Sequence, residues 1–269
     1  MQVTRRAALA LALATPSIAS ARAQGSWRPE RPMRVIVPFA PGGATDVVAR
    51  LVADAAGQML GQNMVIENRA GASGVIGADV VAKSAPDGHT LLSAFSSQIL
   101  QPHVLKSVPF DNQRDFTPIL EAARAPIAIV VNPALPVQSM KELIAYAKKN
   151  PAKLNYGSAG NGSAGHLAME YLKMVTETFM LHVPYRGGSQ GVASVVSGET
   201  DWVLTPAPAA MSLVGAKRLK LLGHSMPTQH HPLGDTPAIA HELPGFEFAS
   251  WIGLMGPRGI SPTIVSLLN

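Results

Sequence analysis

The chain contains no cysteine. That removes disulfide staples, thiolate catalysis and cysteine-ligated zinc, and leaves stability to a packed core, which 269 residues are enough to build. Basic residues do not gather in blocks with interleaved aromatics, so the footprint of nucleic-acid binding is missing and no nucleic-acid partner is expected. Beyond the N-terminus, no apolar run reaches the ~18 residues that a membrane helix requires. His224, His230, His231 and His241 are scattered through a polar, proline-rich stretch instead of standing at i, i+4 or in a cluster, so no metal site is expected.

The N-terminus reads as an export signal spanning residues 1–23. Arg5 and Arg6 precede an apolar run from Ala7 to Ala14, and Ala21-Arg22-Ala23 is a small-x-small cleavage site. Thr4-Arg5-Arg6 also resembles a twin-arginine signal, which leaves Sec and Tat export both open, with the periplasm as destination. Removing Arg5, Arg6 and Arg22 leaves 19 basic against 17 acidic residues, so most of the formal charge of +5 belongs to targeting.

The rest alternates apolar β-rich runs with helical periodicity, the βαβαβ signature of an α/β protein with a mostly parallel sheet. Strands are predicted at 33–40, 63–68 and 89–95, with helices at 45–60 and 74–85. The first helix carries Val47, Val48, Leu51, Val52, Ala55 and Leu60 near one face. A second series follows: a strand at 127–132, then a helix opened by the capping box Ser139-Met140-Lys141-Glu142 and stopped at Asn150-Pro151. Strands at 153–156, 179–185, 201–205 and 219–224 then alternate with helices at 164–175, 189–196 and 209–216. Ser261-Pro262 starts a last helix whose pattern stops at Asn269, as though cut inside a helix.

Two glycine-rich loops free of Lys and Arg occupy matching strand-to-helix positions in the two series: Pro38 to Asp46 and Gly157 to His166. Bare backbone at a helix start presents unpaired N–H groups and the positive end of the helix dipole, which together suit an anion. The nucleotide-binding loop needs a Lys, and none follows until Lys83; the dinucleotide fingerprint lacks its later glycine. What remains is an amide cradle sized for a carboxylate, against the plainer reading of a tight βα turn. Asp46 would repel an anion if it faced the site and is read as a cap that fixes the loop. Ser158, Asn161 and Ser163 add neutral donors to the second loop. His166 lies in the first turn of a helix, where the dipole disfavours imidazolium, and is read as neutral and structural instead of a base. Arg186, at the end of the strand that carries Tyr185, is the best-placed cation for an acidic ligand, or else a surface residue.

These segments, together with Glu67-Asn68-Arg69-Ala70-Gly71-Ala72-Ser73-Gly74, Pro86-Asp87-Gly88-His89-Thr90 and His182-Val183-Pro184-Tyr185-Arg186-Gly187, occur in an order that resembles the solute-binding receptors of tripartite tricarboxylate transporters, the Bug family. The resemblance runs from about Trp27 onward. It implies a two-lobed type II periplasmic binding protein with a ligand cleft between lobes, which closes on a small carboxylate and delivers it to the membrane permease subunits of a tripartite transporter. It implies no catalysis and no cofactor, and a monomer. A ligand-presenting partner of a membrane sensor kinase, and an enzyme with His166 as base, stand as alternatives. Lobe one maps to 27–125 plus 223–269 and lobe two to 126–222. The implied ligand-binding residues are Phe39, Ala40, Gly42, Gly43, Thr45 and Asp46 on one side, Ser158, Gly160, Gly162, Ser163 and His166 on the other, with Ser96, Ser97, Tyr185 and Arg186 nearby.

Overall fold

The computed structural model describes residues 27–226 and 233–269. The expected signal segment, His230 and His231 lie outside the described residues. The first half is built from β1 (Met33–Val37), α1 (Ala44–Leu60), β2 (Met64–Asn68), α2 (Val75–Ala82), β3 (Thr90–Phe95) and the short helix α3 (Gln101–Val104). A long strand, β4 (Phe116–Val131), leads into α4 (Met140–Lys149), β5 (Asn155–Ser158), α5 (Ala164–Thr176), β6 (Leu181–Pro184), α6 (Gly188–Ser197), β7 (Trp202–Pro206), α7 (Met211–Gly215) and β8 (Lys220–His224). The chain closes with β9 (Ala249–Pro257) and α8 (Pro262–Leu268).

The strands follow the order β2-β1-β3-β9-β4-β7-β5-β6, with β8 also on β4. Pairing is parallel within each half, as expected, but antiparallel wherever β4 or β9 takes part. Residues 116–126 of β4 pair with β9, and residues 127–131 pair with β7 and β8, so one strand serves both halves of the sheet. β9 and the first part of β4 carry no clean alternation and were not foreseen. His224 ends the strand expected at 219–224, and it is fully buried there instead of standing in a polar, solvated stretch.

Both faces of each half are covered, which explains why the strands read as continuous apolar runs. Along β1, Met33, Val35 and Val37 pack with Ala49 and Ala53 of α1 and Ile264 of α8, while Ile36 points the other way onto Val75, Ala78 and Val81 of α2. In the second half, Ile127, Ile129 and Val131 face Leu143 of α4 and Leu172 of α5, and Ala128 and Val130 face Val192 and Val195 of α6. The expected apolar face of α1 is corrected in part: Val52 and Leu60 pack against the core, but the helix seats most deeply through the small residues Ala49 and Ala53, and leaves Leu51 68% exposed and Val47 36% exposed. The described residues between β8 and β9 stay with the second half. Ile239 and Phe246 pack in its core, the backbone N–H of Ile127 donates to Ser225 Oγ (2.9 Å), and only at Ala249 does the chain return to the first half as β9.

Helix α5 crosses β7 at Gly165, where a Cβ would lie 2.1 Å from the Leu204 carbonyl oxygen; at Gly215 a Cβ would meet nothing within 4 Å. Gly165→Ala should therefore cost about 3 kcal/mol, since backbone cannot yield as a side chain can. Thermal denaturation should show Tm lower by roughly 6–12 °C, with Gly215→Ala within about 2 °C of the parent.

Candidate functional site

Three helices begin at one place. Gly43, Ala44 and Thr45 at the start of α1, Ser163, Ala164 and Gly165 at the start of α5, and Gly188 at the start of α6 all line a cavity of about 50 Å³ between the two halves. The first N–H groups of a helix have no intrahelical partner, and the dipoles of all three helices place partial positive charge at the same spot. The walls are completed by Phe39 and Phe95, an edge-to-face pair with centroids 4.8 Å apart, by Ser96, Ser97 and Ser250, and by residues 203–206 at the end of β7. Among the described residues, no Lys, Arg, His, Asp or Glu lines it.

Each loop is shaped by a set of bonds behind it. Gly42 has φ +80°, a left-handed conformation that favours glycine. Its N–H donates to the Asp46 carboxylate (2.9 Å), which also accepts from Arg50 Nε (2.9 Å) and Asn68 Nδ2 (2.9 Å). Burial opposes ionisation of Asp46, but these bonds outweigh it and hold its pKa below the ordinary carboxylate value. Asp46 therefore fixes the loop and does not line the cavity.

In the second loop, Ser158 is fully buried; its Oγ accepts from Gly160 N–H (3.0 Å) and lies 2.6 Å from His182 Nε2. Gly162 N–H donates to His166 Nδ1 (3.1 Å), which requires that nitrogen to be unprotonated. The His166 and His182 rings lie 4.2 Å apart, and His182 stacks on Tyr156 at 4.9 Å. Burial lowers the pKa of both histidines, that of His182 to about 4, with the His166 charge adding to the effect. Glu170, which accepts from Tyr156 Oη (2.5 Å) and Lys173 Nζ (2.7 Å), faces the pair.

The two halves touch around the cavity. Ser189 Oγ donates to the Pro41 carbonyl (2.8 Å), a Cβ on Gly187 would lie 2.9 Å from Ala40 N, and one on Gly160 would lie 2.6 Å from Ser73 Oγ. Ser73 sits in a run of positive φ from Gly71 to Gly74, held by Gln101 Nε2, which donates to the Ser73 carbonyl (2.7 Å).

Of the residues singled out by sequence, the structure brings Phe39, Gly43, Thr45, Ser96, Ser97 and Ser163 to the cavity. Ala40, Gly42, Asp46, Ser158, Gly160, Gly162 and His166 lie behind the loops or at their contact and do not line it. Tyr185 is tied by its N–H to the Ser158 carbonyl (3.0 Å), and Arg186 is exposed, its N–H bonded to Gln190 Oε1 (3.0 Å). Sequence reasoning missed Gly188, the end of β7 and Ser250. The first two were open to it, because ligands of α/β proteins collect at the carboxyl ends of parallel strands; Ser250, on an unforeseen strand, gave no signal.

The family model described as "Tripartite tricarboxylate transporter family receptor" matches residues 48–269. The chain belongs to this family. Receptors of this family are periplasmic solute-binding proteins, and this one is of the Bug type. It is 36% identical to Protein BugT of Bordetella pertussis over 276 residues, covering 100% of this chain and 83% of that protein. A solved structure titled "Structure of a periplasmic transporter" superposes with a TM-score of 0.87 at 39% identity, over 89% of this chain and 81% of the other. R. palustris Rpa4515 with adipate gives 0.85 at 36% identity, with coverage of 89% and 81%. MatC of Rhodopseudomonas palustris with bound malate gives 0.85 at 30% identity, with 89% and 82%. The family is one of solute-binding receptors and not of enzymes. Among the described residues no helix is long and apolar enough to cross a membrane.

The histidine pair behind the second loop sets a pH dependence. A histidine with a folded pKa below its unfolded value of ~6.5 is neutral when folded and protonated when unfolded across the interval between. The unfolded chain then binds more protons, so stability is full above pH ~6.5 and falls as pH drops toward the His182 pKa of about 4. Tm should therefore decline between pH 6.5 and 4.5, and His182→Gln should flatten that decline.

Proposed function

We propose that this receptor captures a small organic acid between two lobes through backbone N–H groups, and delivers it as a monomer to the membrane permease subunits of a tripartite transporter. The observation that carries the reading is the convergence of three helix starts on a cavity that no charged side chain among the described residues lines. Such a site favours an anion by field and by hydrogen bonds, yet holds it without the permanent counter-charge that would slow release. The adipate and malate bound by two relatives fit the same chemistry.

In this reading lobe one is 27–125 plus 249–269 and lobe two is 126–222 with the described residues 223–226 and 233–248. The second boundary moves from 223 because Ser225, Ile239 and Phe246 pack with the second half. Gly43, Thr45, Ser96, Ser97 and Ser163 contact the ligand, with Phe39 against its carbon skeleton. Ala40, Gly42, Asp46, Ser158, Gly160, Gly162, His166, Tyr185 and Arg186 shape or flank the jaws. A cavity of about 50 Å³ holds only a few water-sized spheres of ~10–15 Å³, so the ligand reaches it when the lobes part and is enclosed when they meet.

Thermal shift against short and medium dicarboxylates, hydroxy acids, aromatic acids and acidic amino acids tests the reading. An acid at ~100-fold over its Kd should stabilise by about 2.7 kcal/mol, which is roughly 5–11 °C in Tm at this size. No shift with any acid, on protein shown to be folded, overturns it.

A further inference from the structure

The cavity holds one polar group that its own protein leaves unanswered. Thr205, at the end of β7, is 2% exposed, and among the described residues its Oγ1 has no hydrogen-bond partner. It is the lining side chain with a fully buried, unbonded oxygen, and a Cβ built on Gly188 would lie 3.2 Å from that oxygen, which puts the hydroxyl beside the start of α6. Burying a hydroxyl without a partner is unfavourable unless something else supplies the bond.

A second feature concerns charge. An amino acid would bring an ammonium group into a space that no carboxylate among the described residues lines. Asp46, the acid nearest in sequence to the first loop, is taken up by Arg50, Asn68 and Gly42. Three helix starts would repel the ammonium, and desolvating it without a counter-ion is costly.

From these two features, resting on the carboxylate-receptor reading, we infer that the cognate ligand is an acid bearing a hydroxyl or keto oxygen and no amino group, and that Thr205 Oγ1 bonds this oxygen and sets the preference. The helix starts read the carboxylate; Thr205 reads the substituent beside it. Gly188 leaves room for the bond, since a methyl there would crowd Thr205.

The test uses two matched series, succinate, malate and aspartate, and adipate, 2-hydroxyadipate and 2-aminoadipate, titrated calorimetrically into the parent protein, Thr205→Val and Thr205→Ser. In the series that fits the cavity, the parent should bind the hydroxy acid about five- to tenfold more tightly than the plain acid, and the amino acid most weakly. Thr205→Val should erase the hydroxy preference while leaving the plain acid unchanged, and Thr205→Ser should keep it. Unliganded Thr205→Val should melt at or above the parent temperature, because it removes an unanswered hydroxyl. The inference falls if the amino acid binds as well as the hydroxy acid, if Thr205→Val weakens hydroxy and plain acids alike, or if it markedly lowers Tm, which would mean the hydroxyl is already bonded inside the protein. In each of those cases the carboxylate reading survives; if the folded parent binds none of the six acids, the inference falls and the C4–C6 carboxylate reading falls with it.

Discussion

An anion can be held without a cation where several backbone N–H groups aim at one point, and in the reading proposed above that requirement accounts for the way this molecule is built. The N–H groups at a helix start reach a ligand only if no bulky side chain stands between them, and the residues at the three starts are small: Gly43 and Ala44 at α1, Ser163 and Ala164 at α5, Gly187 and Gly188 at α6. Glycine is needed for conformation at Gly42 and for close approach at Gly187, where a Cβ would press on Ala40 N at 2.9 Å. The remaining structure keeps these short backbone segments in place.

That support is polar behind the loops and apolar beneath them. Asp46 braces the first loop through Gly42, Arg50 and Asn68, and the pair Ser158–His182 together with His166 braces the second. Both braces keep charge out of the cavity: the carboxylate is neutralised by Arg50, and the imidazoles are held neutral by burial. Beneath them, the two halves share β4, whose residues 116–126 belong with β9 and 127–131 with β7 and β8.

Much of this was legible in the sequence, for reasons of pattern. Parallel strands buried on both faces announce themselves as apolar runs, and the glycine loops mark where strands meet helices. The antiparallel strands were less visible: β9 reads Ala-Ser-Trp-Ile-Gly-Leu-Met-Gly-Pro, with neither alternation nor an unbroken apolar run. The cavity-lining residues divide in the same way. Residues at helix starts, such as Gly43 and Ser163, could be named because local chain direction places them, whereas Thr205 and Ser250 reach the cavity only through pairing across the sheet. The family motifs also flagged residues such as Asp46 and His166, whose work is one layer behind the cavity; sequence pattern does not separate a residue that touches a ligand from one that shapes the loop that does.

The central claim, capture of a carboxylate by backbone N–H groups at converging helix starts, is tested most directly by amide NMR of the isotopically labelled protein titrated with whichever acid binds. The account predicts that the largest hydrogen-bond-type shifts fall on the amides of Ala44, Thr45, Ala164, Gly165 and Gly188, with the guanidinium signals of Arg69 and Arg186 unmoved. Shifts concentrated on those arginine side chains, with the five amides unaffected, would contradict it.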